Sequence, residues 1–232
     1  PREAVLQIRA PYRQFGLYET ALLGMLSSET GWATATAECV AAAGEVPIIS
    51  FGARHIHPDV SARMEYAAVV GGCAGCATPA GAALSGQEAT GTIPHALILC
   101  MGDTLKAAEA FDRHIDPQVN RIVLVDTFKD EAEESLRLAA ALGDRLWGVR
   151  IDTPSERGRV TAALVAEVRA RLNQAGHGQV KIVVSGGLDA ARIEYFHAAG
   201  APVDAFGIGS AISAAAPIDF TADIKEVDKK PL

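Results

Sequence analysis

Aromatic residues are scarce in this sequence, at 6% of 232 residues, whereas glycine and alanine are abundant. Small residues favour helices that pack closely over a sheet and strands joined to helices by tight turns. The sequence also lacks an apolar run long enough to span a membrane, and no signal peptide opens it. We therefore expect a cytoplasmic protein that does not contact a membrane.

Basic residues are in the minority, with 21 Lys and Arg against 28 Asp and Glu and a formal net charge of −7. A protein that binds nucleic acid usually has a basic face, and no cluster of basic residues is visible. We therefore expect no nucleic-acid partner. A phosphate-bearing ligand would have to be held by local donors, because the overall field repels anions.

Cysteine is represented by four residues only. Cys73 and Cys76 have the C-x-x-C spacing, but no second pair and no nearby histidine completes a zinc site. The pair also lacks the residues that surround a thioredoxin motif. We interpret all four cysteines as small buried residues of a reducing compartment, without assigning a role to Cys73 and Cys76.

Short apolar runs alternate with longer segments of helical period along most of the chain. This order is typical of parallel sheets covered by helices, and the number of runs favours a closed barrel over an open sheet. An open doubly wound sheet is the alternative. The predicted strands are Val46–Phe51, Val69–Cys73, Thr90–Pro94, Arg121–Asp126, Leu146–Asp152, Val180–Ser185 and Ala205–Gly209.

The helices have recognisable start and stop signals. Two helical stretches, Tyr18–Leu26 and Trp32–Ala43, precede the first barrel strand, and Gly44 is a predicted C-terminal cap. Pro58 fits a first helical position, and Asp130 and Asp189 fit N-caps. Apolar residues recur every four positions in one later predicted helix, namely at Val160, Leu164, Val168 and Leu172.

Both ends of the chain differ in pattern from the middle. Val5–Arg9 and Phe220–Val227 alternate as strands do, so we expect them to belong to a separate small sheet. The predicted fold is α/β: an irregular (β/α) barrel of about seven parallel strands, plus the remnant of an α/β sandwich domain contributed by both ends. Residues 1–45 form a partial sandwich strand and connecting helices, 46–215 the barrel, and 216–232 the return to the sandwich.

Two glycine-containing turns follow the last two predicted strands. They are Ser185–Gly187 and Gly207–Ser210, and a helix begins soon after each of them. Free backbone N–H groups at such turns bind phosphate, and the loops after the last strands of a barrel commonly form a phosphate site. Two ordinary tight turns are the alternative, but two in successive units favour phosphate binding.

Acidic and basic residues stand at the ends of other predicted strands. Asp126 and Asp152 occupy equivalent points on neighbouring strands, where they could hold a divalent cation, bind sugar hydroxyls or stabilise developing positive charge. Helix N-capping is the alternative. Arg54 and Arg150 follow apolar strands and are suited to carboxylate or phosphate, although Arg150 could equally form a structural ion pair with one of the aspartates.

Histidines are a weaker signal. His95 ends an apolar run, where a lone histidine is more often a hydrogen-bonded core residue than a catalyst. His57 precedes Pro58 and could be an N-cap only. Residue chemistry alone assigns neither of them a catalytic role.

Taken together, eight ordered segments of the chain resemble the nicotinate phosphoribosyltransferase family, particularly its shorter archaeal and bacterial members. The segments span almost the whole chain and are more specific together than any one of them. They are Phe15–Leu23, Ser50–Arg54, Gly71–Cys73, Gly91–His95, Leu124–Phe128, Val149–Thr153, Val184–Gly187 and Phe206–Ser210.

The resemblance implies a type II phosphoribosyltransferase fold and an enzyme of NAD biosynthesis or salvage. Its substrates would be nicotinate and phosphoribosyl pyrophosphate, and its products nicotinate mononucleotide and pyrophosphate. Mg²⁺ is the implied cofactor, and ATP the implied coupling substrate. The resemblance also implies a homodimer or higher homo-oligomer, in which the sandwich domain of one subunit covers the barrel mouth of the other.

The resemblance also implies residue roles. Arg54 would face the pyridine carboxylate or pyrophosphate, and His95 would be the histidine that ATP phosphorylates. Asp126 and Asp152 would be catalytic and bind the metal. The Ser185–Gly187 and Gly207–Ser210 turns would form the cup that binds the 5′-phosphate. The remaining implied substrate-binding residues are Thr92, Thr127, Arg150, Ser185, Gly186, Gly187, Gly207, Gly209 and Ser210.

The sequence departs from the family pattern in two places. His55 stands where many relatives have a second arginine, which would alter the anion subsite. Pro1 matches a point well inside the sandwich domain, so we expect a piece of a longer protein. The alternatives are a nicotinamide or quinolinate enzyme, or a non-catalytic fragment that binds phosphorylated ligands.

Overall fold

The computed structural model describes residues 3–232. Six parallel strands form one curled sheet in the order β2-β1-β6-β5-β4-β3. They are β1 (Ile48–Ser50), β2 (Gly75–Cys76), β3 (Arg121–Leu124), β4 (Leu146–Ile151), β5 (Lys181–Val184) and β6 (Ala205–Ile208). A two-stranded antiparallel hairpin, β7 (Glu226–Val227) and β8 (Lys230–Pro231), ends the chain.

Helices alternate with these strands. They are α1 (Glu19–Ala43), α2 (Pro58–Val70), α3 (Pro79–Ser85), α4 (His95–Met101), α5 (Thr104–His114), α6 (Glu131–Leu142), α7 (Ala162–Gln174), α8 (Ala190–Ala198) and α9 (Ser210–Ser213). None of the helices within residues 3–232 combines the length and apolar character needed to cross a membrane.

Several local predictions are confirmed. Pro58 is the first residue of α2, and Gly44 ends α1 with a φ of 60°. The carboxylate of Asp130 accepts hydrogen bonds from two backbone N–H groups at the start of α6, and that of Asp189 accepts one at the start of α8. The two helices predicted before the barrel are instead one continuous helix, α1. No proline lies between them, and the one glycine, Gly31, is buried against the backbone of Ala216.

The two faces of the sheet bury different residues. The larger apolar cluster lies between the sheet and the helices and includes Val123, Val149 and Phe206. A smaller cluster draws one residue from each of four strands, together with two partly buried aromatic residues. It comprises Ile49, Ile122, Val183 and Ala205, with Phe51 and Trp147. This cluster fills the inner, concave side and supports the polar residues at the C-terminal ends of the strands.

The sheet has six strands in the part of the chain described, one fewer than predicted. The segment Thr90–Pro94 is irregular, yet it touches both edges of the sheet: Thr90 N donates to Cys76 O at 2.8 Å, and Ile93 N donates to Ile122 O at 3.2 Å. Pro94 lacks an N–H group and cannot continue a ladder of hydrogen bonds.

Three other predicted strands are misplaced. Val69 and Val70 end α2, and the strand begins later, at Gly75. The segment Val5–Arg9 is irregular and exposed, and Phe220–Val227 is irregular except for its last two residues, in β7. The division into sandwich and barrel parts stays a prediction.

The prediction of buried cysteines is confirmed for Cys39, Cys73 and Cys76 and is wrong for Cys100, which is exposed on α4. Burial raises the pKa of the Cys73 thiol to about 12. A thiol with so high a pKa is protonated at neutral pH and is a poor nucleophile.

Candidate functional site

Polar residues gather at the C-terminal ends of the strands, where parallel α/β sheets bind ligands. Arg150 is the fifth residue of β4 and pairs in register with Leu124 on one side and Val183 on the other. Asp126 and Asp152 follow β3 and β4. Because these strands are adjacent and parallel, their polar side chains emerge at one edge.

Asp126 and His95 form a hydrogen-bonded pair. The distance from His95 Nε2 to Asp126 Oδ2 is 3.1 Å, with the aspartate side chain fully buried and the histidine 41% exposed. Burial raises the pKa of the Asp126 carboxyl, and the nearby charge of Asp152 adds to this, whereas His95 lowers it. The second oxygen, Oδ1, is buried without a partner among the described residues.

Arg150 is a buried cation with spare hydrogen-bonding capacity. Its guanidinium lies 5.6 Å from the centroid of the Phe51 ring, and its Nη2 is 4.0 Å from Asp152 Oδ2. Burial lowers the pKa of Arg150, while the charges of Asp152 and Asp126 raise it and that of Arg54 lowers it. Its Nε is buried without a partner in the described chain, so the ion pair with Asp152 leaves one of its donors unsatisfied.

Asp152 is oriented by the next strand along the sheet. Ser185 Oγ donates to Asp152 Oδ1 at 2.9 Å. A side chain at Gly186 would place its Cβ 2.9 Å from the same oxygen, and the φ of Gly186 is +93°. The glycine is therefore required by both backbone conformation and space, and the Ser185–Gly187 turn lies directly against Asp152.

Gly207 has a packing role that the sequence did not reveal. A Cβ at this position would lie 2.3 Å from Cε2 of Phe51, so the absence of a side chain lets the ring lie across β6. A Cβ at Gly209 would lie 3.1 Å from Nε2 of His55. The predicted substrate-binding roles of both glycines stay predictions.

The other predicted site residues surround this group. Arg54 is exposed in a 3-10 turn, Gly52–His55, and its charge reaches Arg150. Thr127 Oγ1 is buried without a partner among the described residues, and Thr92 is partly buried in the irregular segment before α4. Ser210 begins α9, which is a single turn.

Sequence reasoning missed the loop that follows β4. Arg157 Nη1 donates to the backbone carbonyl of Asp126 at 2.7 Å, and its Nη2 lies 3.2 Å from Glu131 Oε1. Thr153 Oγ1 also donates to Glu131, at 2.8 Å. The only sequence signal was the pair of arginines, Arg157 and Arg159, within a short loop at the ligand-binding edge of the sheet.

Comparison with known protein families shows which family the chain belongs to. The family model for the C-terminal domain of quinolinate phosphoribosyl transferase matches residues 32–223. The chain belongs to this family. The site described above lies entirely within the matched residues.

Individual relatives agree with this. The chain is 32% identical to "Nicotinate phosphoribosyltransferase pncB2" of Mycobacterium tuberculosis, over 90% of this chain and 45% of that protein. It is 49% identical to a nicotinate-nucleotide pyrophosphorylase from Pyrococcus furiosus of known structure, with a TM-score of 0.87 over 94% of this chain and 55% of that one. Human nicotinic acid phosphoribosyltransferase has a TM-score of 0.65 at 20% identity, covering 93% of this chain and 52% of that one.

The chain spans about half the length of the curated relatives it matches. The curled six-stranded sheet matches the fold of type II phosphoribosyltransferases.

Two carboxylates, Asp126 and Asp152, lie just beyond the C-terminal ends of β3 and β4. They fit the way proteins hold Mg²⁺, which usually takes one or two carboxylates and completes its shell with water and substrate phosphates. The Oδ1 atom of Asp126, which is buried and has no partner in the described chain, is the type of oxygen that Mg²⁺ prefers. No group of three or more His, Cys, Asp or Glu residues within 3–232 forms a metal cage. A cation would therefore depend on the substrate for most of its ligands.

Proposed function

We propose that this chain is the barrel-bearing part of a nicotinate phosphoribosyltransferase, which forms nicotinate mononucleotide and pyrophosphate from nicotinate and phosphoribosyl pyrophosphate in NAD biosynthesis. The observation that carries the proposal is the convergence of Arg150, Asp126, Asp152 and the Ser185–Gly187 turn at one edge of the sheet. Cations, carboxylates and a glycine turn are the groups needed for a substrate that carries phosphates and develops positive charge.

The reaction is a substitution at the anomeric carbon of the ribose. The pyridine nitrogen donates its lone pair to form the new N–C bond, the C–O bond to pyrophosphate breaks, and pyrophosphate leaves with that electron pair. The pyridine nitrogen carries no proton to lose, so no general base is required. The chain must instead orient the reactants and stabilise the charge that develops between them.

The proposed mechanism assigns a separate role to the aspartates and to the arginines of the site. Asp152, fixed by Ser185, faces the ribose and stabilises the positive charge that builds on its anomeric carbon. Arg150 and Arg54 bind the nicotinate carboxylate or the leaving pyrophosphate. Mg²⁺ held by Asp126 and Asp152 would neutralise charge on the pyrophosphate oxygens.

His95 is the proposed site of phosphorylation by ATP. Its Nε2 faces Asp126, which leaves Nδ1 as the nitrogen that accepts the phosphoryl group. The carboxylate then orients the ring and stabilises its cationic form. Phosphorylation of this residue would couple ATP hydrolysis to an otherwise poorly favourable synthesis.

A quinolinate phosphoribosyltransferase is the second candidate, favoured by the family model, which describes the C-terminal domain of quinolinate phosphoribosyl transferase. Quinolinate has two carboxylates and needs a denser set of cations. Arg157 is already engaged with Asp126 and Glu131. The arginines of the site that remain for the anionic groups of the substrates are therefore Arg54, Arg150 and Arg159. This smaller set favours the single carboxylate of nicotinate.

A substrate comparison tests the proposal. The chain is incubated with phosphoribosyl pyrophosphate, Mg²⁺ and either nicotinate, nicotinamide or quinolinate, with and without ATP, and the mononucleotides are quantified. We expect product from nicotinate and more of it with ATP. Product from quinolinate alone would support the second candidate, and no product from any of the three would refute the activity of this chain by itself.

Size-exclusion chromatography with light scattering tests the proposed homodimer or higher homo-oligomer.

A further inference from the structure

The loop between β4 and α7 has an unusual backbone. Gly158 and Arg159 both have left-handed φ values, of +93° and +64°. The first is ordinary for glycine, but a long side chain in this region is uncommon and carries a steric cost. Such a conformation persists only where surrounding contacts fix it, and it is often found at ligand sites.

Contacts on the N-terminal side of Arg159 fix the loop to the neighbouring unit of the sheet. Arg157 donates to the carbonyl of Asp126 and pairs with Glu131, which Thr153 also contacts. These hydrogen bonds connect the loop to the end of β3 and the start of α6. The loop therefore lies across the ligand-binding edge instead of extending into solvent.

Contacts on the C-terminal side fix the loop to α8. Val160 is buried, and its carbonyl accepts a hydrogen bond from Arg192 Nη2 at 2.8 Å. The Ala162 N–H donates to the hydroxyl of Tyr195 at 3.3 Å, and the guanidinium of Arg192 lies over that tyrosine ring. Arg159 is thus held between two anchored segments.

The side chain of Arg159 points to the glycine turn after β5. Its Nη1 would be 3.7 Å from a Cβ built on Gly187, while Gly186 and Gly187 both have left-handed φ values. Arg159 is exposed and forms no hydrogen bond or ion pair with any residue that the structure describes. An anchored arginine without a partner over an open glycine turn is suited to an anion from solution.

We propose that Arg159 binds the 5′-phosphate of the phosphoribosyl substrate over the Gly186–Gly187 turn. The identity of this anion as the 5′-phosphate rests on the proposed function, whereas the anion site rests on geometry alone. A phosphate at this turn would lie near the carboxylates of Asp152 and Asp189, in a chain of net charge −7. Arg159 supplies the charge that offsets this repulsion.

Calorimetric titration of ribose 5-phosphate into the full chain at low salt tests the site. Arg159→Gln removes the charge, and Arg159→Gly also removes the strained side chain while keeping a residue that tolerates the backbone conformation. Arg171→Gln is the matched control, because Arg171 is an exposed arginine in the last turn of α7, paired with Glu167. Circular dichroism confirms that each variant is folded.

We expect both Arg159 variants to raise the Kd for ribose 5-phosphate by roughly 10- to 100-fold, which is the loss of one hydrogen bond between charged groups. The Arg171→Gln variant should bind as the wild type does. Unchanged binding by the Arg159 variants, or no binding of ribose 5-phosphate by the wild type, would overturn the proposal.

Turnover separates this proposal from the proposed function. If the wild type forms nicotinate mononucleotide, the Arg159 variants should raise the KM for phosphoribosyl pyrophosphate more than they lower kcat. If the wild type forms no product but the binding results are as expected, the anion site stands and the proposed reaction fails. Normal turnover with unchanged binding in the variants would refute the role of Arg159 alone.

Discussion

Replacing Gly207 by alanine should destabilise the protein because of one specific clash. The new Cβ would lie 2.3 Å from Cε2 and 2.6 Å from Cδ2 of Phe51, and 3.3 Å from Cβ of Ser185. The first distance is more than an ångström shorter than an ordinary van der Waals contact between carbons. The Phe51 ring must move, and its contact with the Arg150 guanidinium is then lost.

The magnitude follows from three contributions. Overpacking of a fixed core costs about 1–3 kcal/mol. Loss of the cation–π contact adds about 0.5–1 kcal/mol. Replacing a strand glycine by alanine also contributes about 0.5–1 kcal/mol of stabilisation, because alanine makes the unfolded chain less flexible. Gly207→Ala should therefore lower the free energy of unfolding by about 1–3 kcal/mol, measured by urea denaturation.

Two further variants make the test specific. Gly24→Ala is the matched control, since Gly24 lies within α1 and a Cβ there meets nothing within 4 Å. It should be neutral or stabilising by up to about 1 kcal/mol. In a Phe51→Ala background, Gly207→Ala should lose most of its cost, because the ring that it displaces is absent. An equal cost with and without the ring would refute the explanation.

Three other predictions concern carboxylates. Asp152→Asn should lower turnover of the proposed reaction at least tenfold, as expected when charge stabilisation is lost, while its denaturation midpoint stays near that of the wild type. Burial raises the pKa of Asp126 above the ordinary 3.8. The wild type should therefore lose stability relative to Asp126→Asn as the pH rises from about 4 through that raised pKa, and a pH-independent difference in urea denaturation would contradict this. Asp130→Ala removes a cap from two backbone N–H groups of α6. It should cost about 1 kcal/mol in the same assay, and no change would refute the cap.

The sequence predicted the middle of the fold well, for a physical reason. Strands β3 to β6 lie within one or two residues of their predicted bounds, because each is a short apolar run preceded by a turn and followed by a polar residue. Helix starts were equally accessible, since Asp130, Asp189 and Pro58 act locally. Such signals do not depend on distant parts of the chain.

The wrong predictions fall on segments where the local sequence pattern does not determine the secondary structure. Val69 and Val70 are apolar and β-branched, but the helix that begins at Pro58 continues through them. A short apolar run is compatible with both structures, so periodicity alone could not distinguish them. The alternating segments near both ends need a partner strand to become strands, and alternation does not supply one.

The position of the candidate residues at one edge of the sheet was predictable, but their contacts were not. The polar residues at or just beyond the C-terminal end of each predicted strand included Asp126, Arg150 and Asp152, and the topology of a parallel sheet places these positions together. It could not find that the Phe51 ring crosses β6 to reach Arg150, nor that Arg157 holds the carbonyl of Asp126. Both contacts join residues more than 30 positions apart, so only the packed structure brings them together.

Two unpartnered atoms at the C-terminal edge of the sheet, Asp126 Oδ1 and Arg150 Nε, have a common explanation. Burial disfavours the charged forms of both Asp126 and Arg150, and each keeps one buried polar atom without a partner in the described chain. Leaving such atoms unsatisfied costs stability, and no ion pair within 4.0 Å joins the two side chains, although the charge of Asp126 raises the pKa of Arg150. A ligand with an anionic group beside a cationic centre would offset both costs at once. A pyridine carboxylate joined to ribose through its nitrogen, which is the product of the proposed reaction, has that charge pattern.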